Sequence, residues 1–195
     1  MRKVIVSNLV SLDGYYAGPN GEIDWFTGLA DKEFESYAID LISTADTMLF
    51  GRVTYELMAS YWPTATPATD DPRIIDAMNS FPKVVFSKTL EKVEWTNSRL
   101  VKSDVAEEVL RLKQLPASPS GGSVKNMVIY GSGTIVSALA HKNLIDDYRI
   151  FVCPTILGGG KPLFKDIVDR IHLRLLETTR FGTGMVALHY LSDQK

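Results

Sequence analysis

The sequence predicts an α/β fold in three layers (α/β/α), with a mostly parallel, mixed sheet between two layers of helices and an antiparallel hairpin at the C-terminal end. Short apolar, β-branched runs alternate with segments in helical spacing along the 195 residues, which is typical of repeated βα units. Glycine-rich turns follow several of these runs, and two alternating segments flank residues 182–184, as in a hairpin. At about 150 residues per domain, this length favours one domain over residues 1–195.

The first half of the chain begins with a strand and a long loop. Residues 3–10 are apolar and β-branched, whereas residues 11–24 are rich in Gly, Asn and Pro and predict a loop. Asp31 is suited to the N-cap of the first helix, and Pro72 to the first position of the third. The other elements expected here are helices at 31–44, 53–60 and 71–80 and strands at 47–50 and 83–86.

The second half repeats the alternation. Asp104 and Glu107 have capping-box spacing at the start of a helix over 105–115, and we expect the Ser-, Gly- and Pro-rich segment 116–125 to be the most flexible part. Ligands of open parallel sheets bind at the carboxyl ends of the strands. The other expected elements are strands at 99–102, 127–130 and 148–155, a helix at 134–140 and a hairpin of 172–181 with 185–191.

Composition and charge exclude several classes of protein. The net charge is −2 and no run of five basic residues occurs, so we expect no nucleic-acid partner. The single cysteine, Cys153, is expected to be a buried thiol, and no Cys/His cluster has the spacing of a metal site. No apolar run approaches the roughly 18 residues of a membrane span, and residues 1–10 lack a signal-peptide pattern. We therefore expect a cytoplasmic protein with no membrane partner.

The strand–glycine–helix segment at residues 130–136 is a candidate phosphate site. Backbone N–H groups and the helix dipole at such a turn attract anions. Val136, however, stands where a dinucleotide-binding fingerprint has its third glycine. This segment alone supports a phosphate site and a plain turn between strand and helix equally.

Two other strand ends carry polar groups suited to phosphates. Gly51 permits a close backbone approach, Arg52 offers a fork-shaped cation and Thr54 a hydroxyl. Ser87 and Lys88 follow the next strand. Taken singly, each of these cations is more typical of a solvated surface; together with the glycine turns they indicate a groove for a ligand with several phosphates.

The glycine-rich segment 157–162 is not a Walker A loop. Thr155 stands where that loop has its first glycine, and Pro162 where a Ser or Thr would bind magnesium. Two interpretations stay open, a substrate-side loop in which Lys161 holds an anion and a plain strand exit.

Six segments occur in the order found in one family. They are Ser11-Leu12-Asp13-Gly14, Trp25-Phe26, Gly51-Arg52-Val53-Thr54-Tyr55-Glu56, Phe86-Ser87-Lys88, Tyr130-Gly131-Ser132-Gly133-Thr134 and Leu157-Gly158-Gly159-Gly160-Lys161-Pro162-Leu163-Phe164. The chain resembles a stand-alone relative of the C-terminal reductase domain of the bacterial bifunctional riboflavin-biosynthesis deaminase-reductase, in the dihydrofolate-reductase-like superfamily. The resemblance covers nearly the whole chain.

The resemblance implies an NADPH-dependent reductase of a small heterocycle, and a homodimer. Loop 11–24 would cover the nicotinamide, and Ser87 and Lys88 would contact the 2′-phosphate, where a cation distinguishes NADP from NAD. The residues implied for cofactor binding are Val10, Ala17, Trp25, Gly51, Arg52, Val53, Thr54, Ser87, Lys88, Gly131, Ser132, Gly133, Thr134, Ile135 and Val136. Those implied for substrate binding are Asp13, Tyr130, Leu157, Gly158 and Lys161.

Two departures from the family pattern concern the substrate and the acid. Riboflavin reductases usually have Glu where Tyr130 precedes the glycines, so a contact to the phosphoribosylated aminouracil is missing. Asp24 and Asp31 are the candidates for proton delivery, with a loop role and a helix cap as the alternatives. Asp13 equally suits a turn, and Trp25 equally suits an anchor for the loop.

Three functional hypotheses remain. The leading one is an NADPH-dependent reductase of a pterin-like or ribosylaminopyrimidine-like ring, resembling 5-amino-6-(5-phosphoribosylamino)uracil reductase. The deaminase half is absent, since no H-x-E with a following P-C-x-x-C occurs. The alternatives are a nucleotide-binding module without turnover and a dihydrofolate reductase proper.

Overall fold

The structure, a computed structural model, describes residues 1–115 and 125–193. The predicted flexible segment 116–125 lies outside the described residues except for Lys125. The strands are β1 Val4–Ser11, β2 Tyr15–Ala17, β3 Ala45–Gly51, β4 Lys83–Phe86, β5 Ser98–Val101, β6 Asn126–Tyr130, β7 Asp147–Cys153, β8 Lys161–Pro162, β9 Leu173–Arg180 and β10 Val186–Ser192. The helices are α1 Lys32–Ser43, α2 Arg52–Tyr61, α3 Pro72–Ser80, α4 Val105–Lys113 and α5 Gly133–His141, with short 3-10 helices at Asp24–Phe26 and Trp62–Thr64.

The main sheet has eight strands in the order β5-β4-β3-β6-β1-β7-β10-β9. Its first six strands run parallel, whereas β10 is antiparallel to both β7 and β9. The predicted mixed sheet and its C-terminal hairpin are therefore confirmed. Because the first six strands are parallel, their carboxyl ends meet at one edge.

Successive strand residues face opposite helical layers, as the period of two requires. Val4, Leu49 and Met127 pack in one core with residues of α4 and α5. Ile5 and Met48 pack in the other core with residues of α1 and α3. The predicted three-layer arrangement is confirmed.

An aspartate caps the N-terminus of three helices, as predicted for Asp31 and Asp104. Asp31 accepts a hydrogen bond from the Phe34 amide at 2.8 Å, and Asp71 accepts one from the Arg73 amide at 2.8 Å. Asp104 accepts from the amides of Ala106 and Glu107. Each carboxylate satisfies backbone donors that the first helical turn leaves without a partner.

The prediction of a long loop over 11–24 was wrong at two places. β2 lies within this segment and pairs with β8 in a separate two-stranded sheet, and a 3-10 helix begins at Asp24. β2 has only three residues, too few for a visible sequence period, and its partner is more than 140 residues away in the chain. Among the described residues, none of the helices combines the length and apolarity that crossing a membrane requires.

One edge of β1 is open where its neighbour ends. β1 pairs with β6 only as far as Ser7 opposite Tyr130, while its pairing with β7 continues to Ser11 opposite Cys153. Beyond Tyr130 the chain turns away at Gly131, which has a positive φ of 59°. The gap that results is the crevice in which ligands of open α/β sheets bind.

Candidate functional site

Two glycine turns from distant parts of the chain are joined at this edge of the sheet. The backbone N–H of Gly51 donates to Ser132 Oγ at 2.8 Å, and the N–H of Ser132 donates to Thr54 Oγ1 at 3.0 Å. Thr54 also restrains the second turn sterically, since a Cβ on Gly131 would lie 3.1 Å from its Oγ1. The structure therefore brings together the predicted turns at 51–54 and 131–136.

The second turn presents the N-terminal end of α5. Ser132 is the N-cap residue in the left-handed conformation, and its own side chain makes no capping bond to the helix. The first backbone N–H groups of a helix, together with its dipole, form an anion site. A side chain on Gly133 would overlap the ring of Tyr16, so only glycine permits this close approach of β2 to the helix start.

A cavity of about 570 Å³ lies along these turns. We call it the cofactor-side cavity, and its described lining carries the two cations Arg52 and Lys161 and no carboxylate. Arg52 is paired with Glu56 at 3.1 Å, but both side chains are about half exposed (46% and 47%), so water competes with this ion pair and the guanidinium can exchange partners at little cost. The cavity thus suits an anionic ligand with more than one negative group.

Asn8 is an unpartnered polar group in the same cavity wall. The residue is 3% exposed, and Oδ1 has no hydrogen-bond partner among the described residues. Asn8 lies on the part of β1 that extends beyond β6 and lines the cofactor-side cavity. A buried acceptor without a donor is costly, so this oxygen indicates a place where a ligand donor fits.

A second cavity of about 760 Å³ adjoins the first. We call it the substrate-side cavity. The two cavities share Ser7, Leu9, Phe26, Met58 and Tyr130 in their linings. Tyr130 therefore lies between them, where burial raises the pKa of its phenol far above the usual range and keeps it neutral, as a hydrogen-bond donor.

The two candidate acids occupy different surroundings. Asp31 lines the substrate-side cavity while its Oδ1 caps α1. Asp24 is exposed at the start of a 3-10 helix and belongs to the described lining of neither cavity. Of the two carboxylates, the structure therefore brings only Asp31 to the cavities.

Asp13 holds two loops together outside both cavities. Its carboxylate accepts from the amides of Leu157 and Gly158 at 3.1 and 2.8 Å. Hydrogen bonds from Ser11 and from these two amides hold its pKa below the usual value. The hydrogen bonds of Asp13 to Leu157 and Gly158 thus connect the two loops near β8. Lys161 lines the cofactor-side cavity, whereas the resemblance implies a substrate contact for it.

The other residues implied for the cofactor fall into three groups: those that line the cofactor-side cavity, those buried in the core, and two that lie outside both cavity linings. Ile135 and Val136 are buried in the core with Val10, and Trp25 packs edge-on against Phe26 outside both described linings. Lys88 is exposed and also outside them. Those that line the cofactor-side cavity are Ala17, Gly51, Arg52, Val53, Thr54, Ser87, Gly131, Ser132 and Thr134.

Sequence reasoning missed several residues of these walls. Tyr16, Asn8, Phe26 and Met58 line one or both cavities. The polar pair Ser7-Asn8 inside the mainly apolar strand β1 is a signal that the sequence contains. Phe26 and Met58 carry no such signal, because apolar residues on a helix equally suit a closed core.

Comparisons with known proteins identify the family of this chain. A family model for the RibD C-terminal domain matches residues 2–187. The uncharacterized protein YyaP of Bacillus subtilis (strain 168) is 31% identical over 189 residues, which cover 97% of this chain and 94% of YyaP.

Solved structures share the fold at lower identity. A candidate riboflavin biosynthesis protein from Shewanella sp. PV-4 has a TM-score of 0.73 at 22% identity, covering 98% of this chain and 99% of that one. The Thermotoga maritima diaminohydroxyphosphoribosylaminopyrimidine deaminase/5-amino-6-(5-phosphoribosylamino)uracil reductase has a TM-score of 0.66 at 14% identity, covering 98% and 56%. Enterococcus faecalis dihydrofolate reductase, complexed with NADP(H) and RAB-propyl, has a TM-score of 0.62 at 14% identity, covering 98% and 97%.

The family match and the shared fold agree with the order of the six segments in the sequence. The open edge of β1 and the joined glycine turns lie within the matched residues. Through residues 2–187, this chain belongs to the RibD C-terminal domain family and has a dihydrofolate-reductase-like fold.

Proposed function

We propose that this chain is an NADPH-dependent reductase of a small heterocyclic substrate. The observation that carries the proposal is the bond between Gly51 N and Ser132 Oγ, which joins two glycine turns into one wall of a cavity. The family and its reductase neighbours support the reaction type, and the NADP(H) complex of a protein with the same fold supports the cofactor.

The residues of the cofactor-side cavity fit a dinucleotide phosphate. Backbone N–H groups at the start of α5 suit the pyrophosphate, and Arg52 and Lys161 supply positive charge without an opposing carboxylate in the described lining. Asn8 Oδ1 offers an acceptor to a donor such as a carboxamide N–H. Arg52 is our candidate for the 2′-phosphate contact, because it lines this cavity and Lys88 does not.

The chain itself contributes orientation, exclusion of water and a proton source. When bound, NADPH supplies a hydride to a C=N or C=O carbon of the substrate. Phe26 and Met58 form an apolar wall shared by both cavities, and the neutral Tyr130 phenol lies between them as the donor that we assign to a substrate heteroatom. Asp31 is the candidate that delivers a proton to the substrate heteroatom.

A titration with NADPH tests the cofactor assignment, and a rapid-mixing assay tests turnover. We expect saturable binding at sub-millimolar NADPH, followed by oxidation of bound NADPH when a compound from a panel of dihydropterins and ribosylaminopyrimidines is added. Failure to bind NADPH would end the proposal. Binding without oxidation across the panel would favour the nucleotide-binding module. Homodimer formation stays a prediction from the family resemblance, and a cytoplasmic location stays a prediction from the sequence.

A further inference from the structure

We infer that the substrate of this chain is an apolar ring system that carries no phosphate or carboxylate group. The inference rests on the proposed function, and it names the class of molecule that enters the substrate-side cavity. It follows from three features of that cavity, namely its apolar interior, the charges in its lining and its contrast with the cofactor-side cavity.

The apolar interior of the substrate-side cavity is built mainly from four packed elements. α1 contributes an apolar face, α3 and the preceding 3-10 helix form the opposite side, and β7 contributes an aromatic ring at the back. The residues that carry the apolar surface include Phe34, Leu41, Trp62, Ile74, Met78 and Phe151. Such a wall offers few hydrogen-bond partners. A polar sugar or phosphate that enters the cavity would therefore lose its hydrogen bonds to water and gain few in return.

The charged groups in the lining of this cavity are mainly negative. Its described lining has three carboxylates, Asp31, Glu35 and Asp70, against one ammonium, Lys32. Asp31 already caps α1, and Asp70 already accepts from the Tyr61 hydroxyl at 2.6 Å. Lys32 is exposed to solvent. A phosphate placed here meets repulsion from carboxylates and one solvated cation.

The adjoining cofactor-side cavity has the opposite charge. Its described lining carries two cations and no carboxylate. Counted over the described ionisable residues, the lining of the cofactor-side cavity has a formal charge of +2 and that of the substrate-side cavity −2, although the two cavities share one wall. This partition directs phosphates to the cofactor side and disfavours them on the substrate side, which is how a binding site rejects a competing class of ligand.

The absence of a carboxylate at Tyr130 agrees with this inference. Tyr130 presents a neutral phenol between the cavities, which suits a single heteroatom of a ring and not a charged substituent. The riboflavin intermediate that carries a ribose phosphate is therefore a poor substrate for this chain.

A matched pair of probes tests the inference directly. 1-Naphthol and 1-naphthyl phosphate have the same apolar ring and differ by the phosphate. Calorimetric titration of the full chain, with and without saturating NADP⁺, measures both affinities. NADP⁺ blocks the cofactor-side cavity, so the phosphate probe cannot bind there instead. We expect 1-naphthol to bind at least tenfold more tightly than 1-naphthyl phosphate when NADP⁺ is present.

Three variants test whether the preference for 1-naphthol arises in the substrate-side cavity. Ala38→Trp fills the substrate-side cavity from α1 and should remove 1-naphthol binding while leaving NADP⁺ binding intact. Glu35→Lys should raise the affinity for 1-naphthyl phosphate about fivefold. Asp40→Lys is the matched control, because Asp40 lies on the same helix outside the described lining, and it should change neither affinity.

Equal or tighter binding of 1-naphthyl phosphate with NADP⁺ present would overturn the inference, and so would a failure of 1-naphthol to bind at millimolar concentration. A chain that prefers 1-naphthol but does not bind NADP⁺ would refute the proposed function and leave the selectivity of the cavity standing.

Discussion

The amide of Gly51 and the hydroxyl of Ser132, 81 residues apart in the chain, are joined by a buried hydrogen bond of 2.8 Å. The bond fixes the spacing of two strand ends, because Gly51 ends β3 and Ser132 begins the turn into α5. Ser132 is held in its left-handed conformation by further hydrogen bonds, since its amide donates to the Thr54 hydroxyl and its carbonyl accepts from the amides of Ile135 and Val136. The Ser132 hydroxyl oxygen is thus one of two side-chain acceptors that join the walls of the phosphate-suited site, the other being Thr54 Oγ1.

Removal of the Ser132 hydroxyl should lower both the free energy of unfolding and the affinity for the cofactor. Ser132→Ala leaves the buried Gly51 amide without an acceptor, and we expect a loss of about 2 kcal/mol in the free energy of unfolding. Chemical denaturation measures this change, with Ser103→Ala, an exposed serine, as the control. A loss below about 0.5 kcal/mol would mean that the two turns are held by other contacts.

Arg52→Ala should weaken the binding of NADPH much more than the binding of NADH. Arg52 lines the cofactor-side cavity and its ion pair with Glu56 is solvent-exposed, so the guanidinium is available to a 2′-phosphate. We expect the Kd for NADPH to rise by more than tenfold and that for NADH by less than threefold. Lys142→Ala, at the far end of α5, controls for the change in net charge. Equal losses for both cofactors would reject the 2′-phosphate role.

Asn8→Leu should change stability and binding in opposite directions. Removal of a buried, unpartnered oxygen is expected to stabilise the free chain by about 1 kcal/mol, whereas loss of the acceptor should weaken NADPH binding about tenfold. Thermal unfolding and the NADPH titration measure the two effects. If affinity is unchanged, Asn8 does not contact the cofactor.

Asp31→Asn separates proton delivery from helix capping. Asparagine caps as well as aspartate, so we expect stability within about 0.5 kcal/mol of the parent chain and a fall in NADPH oxidation of about 100-fold with the most active ring of the panel. Asp24→Asn, outside the described linings, should retain the rate within twofold. The opposite pattern would assign the proton to Asp24.

Lys83 should make stability rise with pH. The residue is fully buried and its ammonium donates to the carbonyls of Asn79, Phe81 and Thr96. Burial lowers the pKa of Lys83 from 10.5 to about 8. Between these values the unfolded chain holds a proton that the folded chain has released, so the free energy of unfolding increases as pH rises.

A variant without the amine isolates this effect. The free energy of unfolding of the parent chain, minus that of Lys83→Met, should increase by about 2 kcal/mol from pH 7.5 to 9.5. Other groups that titrate in this range cancel in the difference. A flat or falling difference would show that the three carbonyls hold the proton on Lys83 throughout.

Local signals in the sequence were sufficient for the elements and for some of the site. Asp31 and Asp104 are N-caps and Pro72 begins its helix, as expected, and apolar runs locate the strands of the main sheet to within a few residues. These features depend on neighbours within a few residues, which the sequence contains. The short β2–β8 sheet has no such signal, since each strand exists only through a distant partner.

The sequence by itself determined the alternation of strands and helices, the glycine turns and the cations that follow them. Only the tertiary structure decided that Gly51 meets Ser132, that Lys161 lies on the cofactor side and that the carboxylates gather in the lining of the substrate-side cavity. The physical reason is that propensity and periodicity act over a few residues, whereas a cavity and its charge are set by strand order and by side chains that the fold brings together from remote segments.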